Sequence, residues 1–194
     1  STVSTGLTLT VDTVAPTSVD LSSATNTQST ASYYVNASEA AAGKSIALNL
    51  QAPTNTDTQS VKVVIAGVDT TNDKLVLNTS GTGSGPRSLG TDFTGSNLTV
   101  GGVSGVNFSY VAATNTLTLT KNGGGQLSGS NVQSIVSGIT FRTASSATQG
   151  DRTFTISYTD TAGNVSASGT QTLTVDTSAP NAPGALADAA IVSG

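Results

Sequence analysis

The sequence predicts an all-β fold, an antiparallel β-sandwich with at most one short helix. Threonine and valine fill many runs, and both favour a pleated strand because their branched Cβ restricts the side chain. Apolar and polar residues alternate within these runs, which is the period of a strand with one buried face. Leucine, alanine, glutamate and lysine do not recur at helical spacing over long stretches. Together these features favour strands almost throughout.

Ten segments carry the alternating pattern and are bounded by turn-forming residues. They are residues 19–22, 45–50, 61–68, 74–78, 97–100, 106–111, 116–121, 138–143, 152–159 and 169–175. Asn122 and Gly123 follow one of these segments and predict a turn with positive φ. Residues 81–95 are polar and rich in glycine, which predicts a long loop.

One segment departs from the strand period. Its apolar residues fall at positions i, i+3, i+4 and i+7, namely Val132, Ile135, Val136 and Ile139. That spacing places them on one face of a helix, and Ser130 is a suitable N-cap. We therefore predict a short helix after Ser130.

Charge and composition exclude several classes of partner. Only 9% of the residues are charged, the net charge is −4, and the seven lysines and arginines are scattered singly. No basic stripe is available to follow a phosphate backbone, so we expect no nucleic-acid partner. No apolar run approaches the roughly 18 residues that a membrane-spanning helix needs, so we expect no direct insertion into a membrane.

The chain contains no cysteine and no histidine. Disulfides and sites that bind zinc through thiolate or imidazole are therefore impossible, and two of the side chains that enzymes usually draw on are missing. Aromatic residues make up only 4%, too few for a sugar-binding platform. We expect no enzymatic activity. A weakly charged β domain outside the cell without disulfides needs another clamp, and bound cations are the obvious candidate.

An internal repeat defines the domain organisation. Residues 8–16 (TLTVDTVAP) return 164 residues later as residues 172–180 (TLTVDTSAP), with eight of nine positions identical. Such a period marks an array of domains. Each copy is a strand followed by a linker that ends in proline, which stops pairing. We interpret residues 1–16 as the last strand of a preceding repeat plus its linker, residues 17–180 as one domain, and residues 181–194 as the start of the next repeat.

Several motifs resemble those of a known family. Val-Asp-Thr-x-Ala-Pro at both ends, DTAGN at residues 160–164 and YVNASEAAAG at residues 34–43 are similar to the immunoglobulin-like repeats of giant bacterial RTX adhesins, which are type 1 secreted and take part in biofilm formation. Residues 72–77, 107–119, 139–143 and 150–155 resemble their longer cadherin-like repeats. The resemblance implies a structural extender on the bacterial cell surface. It also implies Ca²⁺ at the junctions between neighbouring repeats of the same chain.

The placement of acidic residues predicts two Ca²⁺ sites, one at each pole of the sandwich. At the pole where the chain enters, Asp12, Asp160 and Asn164 are the predicted ligands, with Asp20 as a weaker addition. At the opposite pole the predicted ligands are Asp176, Asp151 and Glu39. Ca²⁺ takes six to eight oxygen ligands, which carboxylates, amides and backbone carbonyls supply.

Two alternatives remain open at this level. Acidic and amide side chains in loops also cap turns through local hydrogen bonds, without any metal. The module is alternatively a binder of sugar or protein through long loops such as residues 81–95, in which case it should carry a concave pocket with convergent polar groups. The sequence names no ligand for the parent adhesin.

Overall fold

The computed structural model describes residues 12–16, 19–21, 28–34 (backbone only), 43–47, 50–54, 57–77 and 85–178. These residues form two β-sheets, one α-helix and two short 3-10 helices, Ala112–Thr114 and Asn122–Gly124. The strands are β1 (Gln28–Tyr34), β2 (Lys44–Ser45), β3 (Thr58–Ala66), β4 (Lys74–Leu77), β5 (Arg87–Ser88), β6 (Phe93–Val100), β7 (Val103–Val111), β8 (Thr116–Lys121), β9 (Ile139–Arg142), β10 (Gly150–Asp160) and β11 (Gly169–Asp176). The α-helix, α1, spans Gly129–Ser137.

The larger sheet has seven strands in the order β1-β11-β10-β3-β8-β7-β6, and the smaller has four in the order β2-β9-β4-β5. Every pairing is antiparallel except that of β1 with β11, which is parallel. Inward side chains of both sheets share one core, and Phe141 of β9 meets Phe154 of β10 edge to face at a centroid distance of 5.8 Å. The predicted all-β sandwich with a short helix is confirmed.

Alternation along β3 and β10 builds the centre of this core. Val61, Val63 and Ile65 of β3 are buried, while the residues between them face outward. In β10 the inward row contains Phe154, Ile156 and Tyr158 and ends in a charged residue on either side, Arg152 and Asp160. Burying each large apolar side chain contributes roughly 1.5–3 kcal/mol. Arg152 and Asp160, the two charged ends of the row, each lie in a polar cluster.

The helix begins two residues before its predicted position. Ser128 caps α1, its hydroxyl oxygen accepting a hydrogen bond from the Asn131 N–H at 3.3 Å. Ile139 belongs to β9 rather than to the helix. Close packing fixes where α1 lies: Gly101 has φ +57°, and a Cβ there would come within 2.1 Å of the Ser134 carbonyl oxygen. Only glycine allows the turn between β6 and β7 to approach the helix this closely.

Four strand predictions need correction. Of the predicted strand over residues 45–50, only Ser45 lies in a strand, β2, among the residues that the structure describes there. Residues 19–21 carry two core side chains, Val19 and Leu21, but form no strand. Strand β1 was not predicted, because QSTASYY lacks apolar alternation. Its pairing with the distant β11 is made by backbone hydrogen bonds, which leave no pattern in the local sequence. The predicted loop over residues 81–95 contains β5 and the start of β6.

Candidate metal centre

The register of β3 and β10 brings two carboxylates to one pole. Asp160 is the last residue of β10, and it lies opposite Thr58, the first residue of β3. Asp57 directly precedes Thr58, so the ladder sets Asp57 beside Asp160. A register shift between Thr159 and Asp160 bends the strand at this point. Neighbouring strand ends therefore supply both side chains.

The N-terminal segment supplies a third carboxylate. The side-chain nitrogen of Asn164 donates to the carbonyl oxygens of Asp12, at 3.3 Å, and of Val14, at 3.4 Å, while Pro16 is buried. One carboxylate oxygen from each of Asp12, Asp57 and Asp160 lies within 4.8 Å of the other two. Residues from the entering segment and from the body of the sandwich thus meet in one group.

Asp160 is held in place by hydrogen bonds around a tight turn. Its Oδ1 accepts from the backbone N–H groups of Ala162, at 2.9 Å, and Asn164, at 2.8 Å, and its Oδ2 accepts from the Asn164 side chain at 2.9 Å. Burial raises the pKa of Asp160, but these hydrogen bonds lower it by more, so the pKa lies below its ordinary value. Asp160 is therefore ionised at neutral pH.

No basic residue balances this negative charge. All seven lysines and arginines lie in the described part of the chain, and none forms an ion pair with Asp12, Asp57 or Asp160. Two unit charges 4 Å apart repel by about 1–4 kcal/mol at effective dielectric constants of about 80 to 20. A bound cation removes this repulsion.

The donor set fits Ca²⁺. Three carboxylates lie together, and their oxygens are hard donors of the kind Ca²⁺ prefers, with water and other oxygens completing its six to eight ligands. The carbonyl oxygens of Asp12 and Val14 accept hydrogen bonds from the Asn164 side chain, which holds the entering segment in place. Asp12, Asp57 and Asp160 are the residues that would hold the ion, with Asn164 positioning Asp12.

Sequence reasoning missed Asp57 because it placed the start of β3 at residue 61, three residues after its true start at Thr58. A boundary at residue 58 would have set Asp57 at a strand end beside the other acidic residues. Asp20, the weaker addition, is outside the group of three carboxylates; its backbone carbonyl accepts from the Gln51 N–H at 2.9 Å.

At the opposite pole, the described aspartates of the second predicted site form local hydrogen bonds. Asp151 accepts a hydrogen bond from the Thr174 hydroxyl at 2.6 Å, and the Asp176 Oδ1 accepts from the Ser178 N–H at 2.8 Å. Glu39 lies outside the described residues. Within the ranges that the structure describes, no third carboxylate joins Asp151 and Asp176.

A separate polar cluster is buried near the start of β10. The Asp73 carboxylate accepts from the Arg152 Nε at 2.6 Å, from the Thr143 hydroxyl at 2.6 Å and from the Asp69 N–H at 2.7 Å. Asp69 itself closes a turn by accepting from the N–H groups of Thr71 and Asn72. Internal partners satisfy these carboxylates, and the Arg152 guanidinium neutralises the charge of Asp73, so this cluster lacks the unbalanced charge of the Asp12, Asp57 and Asp160 group.

Comparisons with known proteins leave the family open. No protein-family model, curated protein or solved structure matches the chain. Among the described residues, no helix is both long enough and apolar enough to cross a membrane.

Proposed function

We propose that this chain is a structural extender repeat of a bacterial cell-surface adhesin, stiffened by Ca²⁺ at its junction with the preceding repeat. The observation that carries the proposal is the carboxylate group itself. It joins Asp12 of the entering segment to Asp57 and Asp160 of the sandwich, with no protein cation to neutralise it.

An ion shared between linker and body explains how stiffness would arise. Without a cation the three like charges repel, and this disfavours a closed junction. With Ca²⁺ bound, Asp12 is tied to the ends of β3 and β10, and the entering segment loses freedom relative to the sheet. The joint then transmits the direction of one repeat to the next, as a spacer in an adhesive fibre requires.

The proposed setting is extracellular. Millimolar Ca²⁺ outside the cell fills most of a site with a Kd of about 10⁻⁴ M, which lies within the range of extracellular modules. The absence of cysteine leaves such a chain without disulfide clamps, so bound ions take their place. In this proposal the partners are neighbouring repeats of the same chain, the role is support of adhesion and biofilm formation, and no catalysis is involved.

The alternative of a ligand-binding module has weaker support. A depression of about 470 Å³ lies on the outer face of the larger sheet. Its lining consists of Gln59, Ser60, Asn107, Thr118, Thr120, Lys121, Gly123 and Gly124. Small-molecule sites are mostly apolar and aromatic, with a few polar groups, and this lining contains no aromatic residue.

Solution scattering on a two-copy chain tests the proposal. Residues 1–178 followed directly by residues 15–194 of a second copy preserve the 164-residue spacing of the repeat. We expect a larger radius of gyration in Ca²⁺ than in chelator. Asp57→Asn in the second copy should reduce the difference, whereas Asp151→Asn, an exposed aspartate at the other end of β10, should leave it intact. Identical scattering with Ca²⁺ and chelator would contradict the proposal.

A further inference from the structure

Asp12 and Asp176 occupy matching positions of the internal repeat and make the same local turn. The Val14 N–H donates to the Asp12 Oδ1 at 2.9 Å, and the Ser178 N–H donates to the Asp176 Oδ1 at 2.8 Å. Asp176 is the last residue of β11. The chain therefore leaves β11 in the same local conformation in which it passes Asp12.

The segment that follows Asp12 packs against the sandwich that comes after it in the chain. Asn164 binds the carbonyl oxygens of Asp12 and Val14, and Pro16 is buried. Further along, the Val19 N–H donates to the Ala167 carbonyl oxygen at 3.2 Å. Residues 12–16 and Val19 thus lie along the loop between β10 and β11.

We propose that the linker of this protein belongs to the repeat that follows it, so that the structural unit runs from Thr13 to Asp176. The segment that begins at Thr177 would then dock on the Asn164 turn of a second copy, as the segment after Asp12 docks here. If the linker docks on the repeat that follows it, Asp176 joins the Asp57 and Asp160 carboxylates of that second copy rather than a site with Asp151 and Glu39. This last assignment rests on the proposed function; the docking does not.

Two exposed valines mark the surface that the preceding copy would cover. Val14 is 75% exposed and Val165 is 57% exposed, and both lie next to contacts of Asn164. Because Asp12 matches the last residue of β11, a preceding copy ends within one residue of this surface. The connection holds its β11 pole nearest to this surface, and covering both valines removes them from water.

One contact favours docking of the linker on the repeat that precedes it. The Gln149 side-chain nitrogen donates to the Ser178 hydroxyl at 2.7 Å, which holds the segment after Asp176 to the sandwich behind it. This is a single side-chain bond between exposed groups. The Asn164 amide instead donates to backbone carbonyl oxygens. These acceptors are present whatever side chains the linker carries.

A spin label in the junction of the two-copy chain distinguishes docking on the following repeat from docking on the preceding one. The protein has no cysteine, so Thr177→Cys of the first copy takes a single nitroxide. We expect Asn164→Ala in the second copy to remove the immobilised component of the spectrum. We expect Gln149→Ala in the first copy to have the smaller effect, in Ca²⁺ and in chelator alike.

The comparison of the two variants has only two outcomes. A larger gain in mobility from the second copy's Asn164→Ala, in either buffer, supports docking on the following repeat. An equal or larger gain from the first copy's Gln149→Ala, in both buffers, overturns it. Failure of the Ca²⁺ proposal alone would appear instead as spectra and scattering that do not respond to Ca²⁺.

Discussion

The side-chain nitrogen of Asn164 lies 3.3 Å from the carbonyl oxygen of Asp12, a residue 152 positions earlier in the chain. The same amide also donates to the Asp160 Oδ2 at 2.9 Å. One side chain therefore links the entering segment to the carboxylate that closes β10. The structure in this way places residues 12–16 against the body of the sandwich.

Asp57→Asn should weaken Ca²⁺ binding by about tenfold, because it removes one of the three charges proposed to hold the ion while keeping the shape of the side chain. Calorimetric titration of the full chain with Ca²⁺ measures this. Asp151→Asn is the control and should bind as the wild type does. Equal weakening by both variants would place an ion at the opposite pole, as the sequence predicted for Asp151, Asp176 and Glu39.

Asp73→Asn should lower the free energy of unfolding by about 3–5 kcal/mol, because it leaves the Arg152 guanidinium charged and buried without its counter-ion. Urea denaturation measures the loss. Adding Arg152→Met should restore part of the stability, since the unpaired charge is then gone. A loss below about 1 kcal/mol for the single variant, which is the value of a surface pair, would contradict this role.

Asp69 should stabilise the fold at neutral pH and lose that effect in acid. The Thr148 N–H, the Asn72 side chain and the Thr71 N–H donate to its carboxylate and hold its pKa well below the ordinary value. Because the folded pKa is depressed, the contribution is complete above the unfolded pKa of about 4 and declines as the pH falls toward the folded pKa.

The gap in stability between wild type and Asp69→Asn should therefore be constant from about pH 5 to 8 and shrink below about pH 4. At neutral pH we expect this difference in the free energy of unfolding to be about 1 kcal/mol, because the variant loses hydrogen bonds to a charged but partly exposed acceptor. Chemical denaturation across the pH range checks the trend. A gap that stays unchanged down to pH 2 would show that the carboxylate charge plays no part.

Local patterns predicted much of the sandwich. Strand β8 has the bounds that its alternation predicted, and β10 extends its predicted range by two residues at the start and one at the end. In both strands one face is buried, so the pattern of the sequence and the environment of the strand agree. The same holds for the buried face of α1, formed by Val132, Ile135 and Val136.

What sequence reasoning missed depends on pairing between distant segments. Asp57 joins the carboxylate group only because the register of β3 against β10 sets Thr58 opposite Asp160. Strand β1 likewise pairs with β11 across more than a hundred residues of chain. A register of this kind is fixed by the whole sheet, and no short stretch of sequence encodes it.

The most direct test of a Ca²⁺-stiffened junction is thermal unfolding of the full chain in millimolar Ca²⁺ and in chelator. A site with a Kd of about 10⁻⁴ M at a tenfold excess of ion stabilises the folded form by about 1.4 kcal/mol, or about 3–6 °C in Tm for a domain of this size. We expect this increase in the wild type and in Asp151→Asn, and its loss in Asp12→Asn. Superimposable melting curves of the wild type in Ca²⁺ and in chelator would contradict the account.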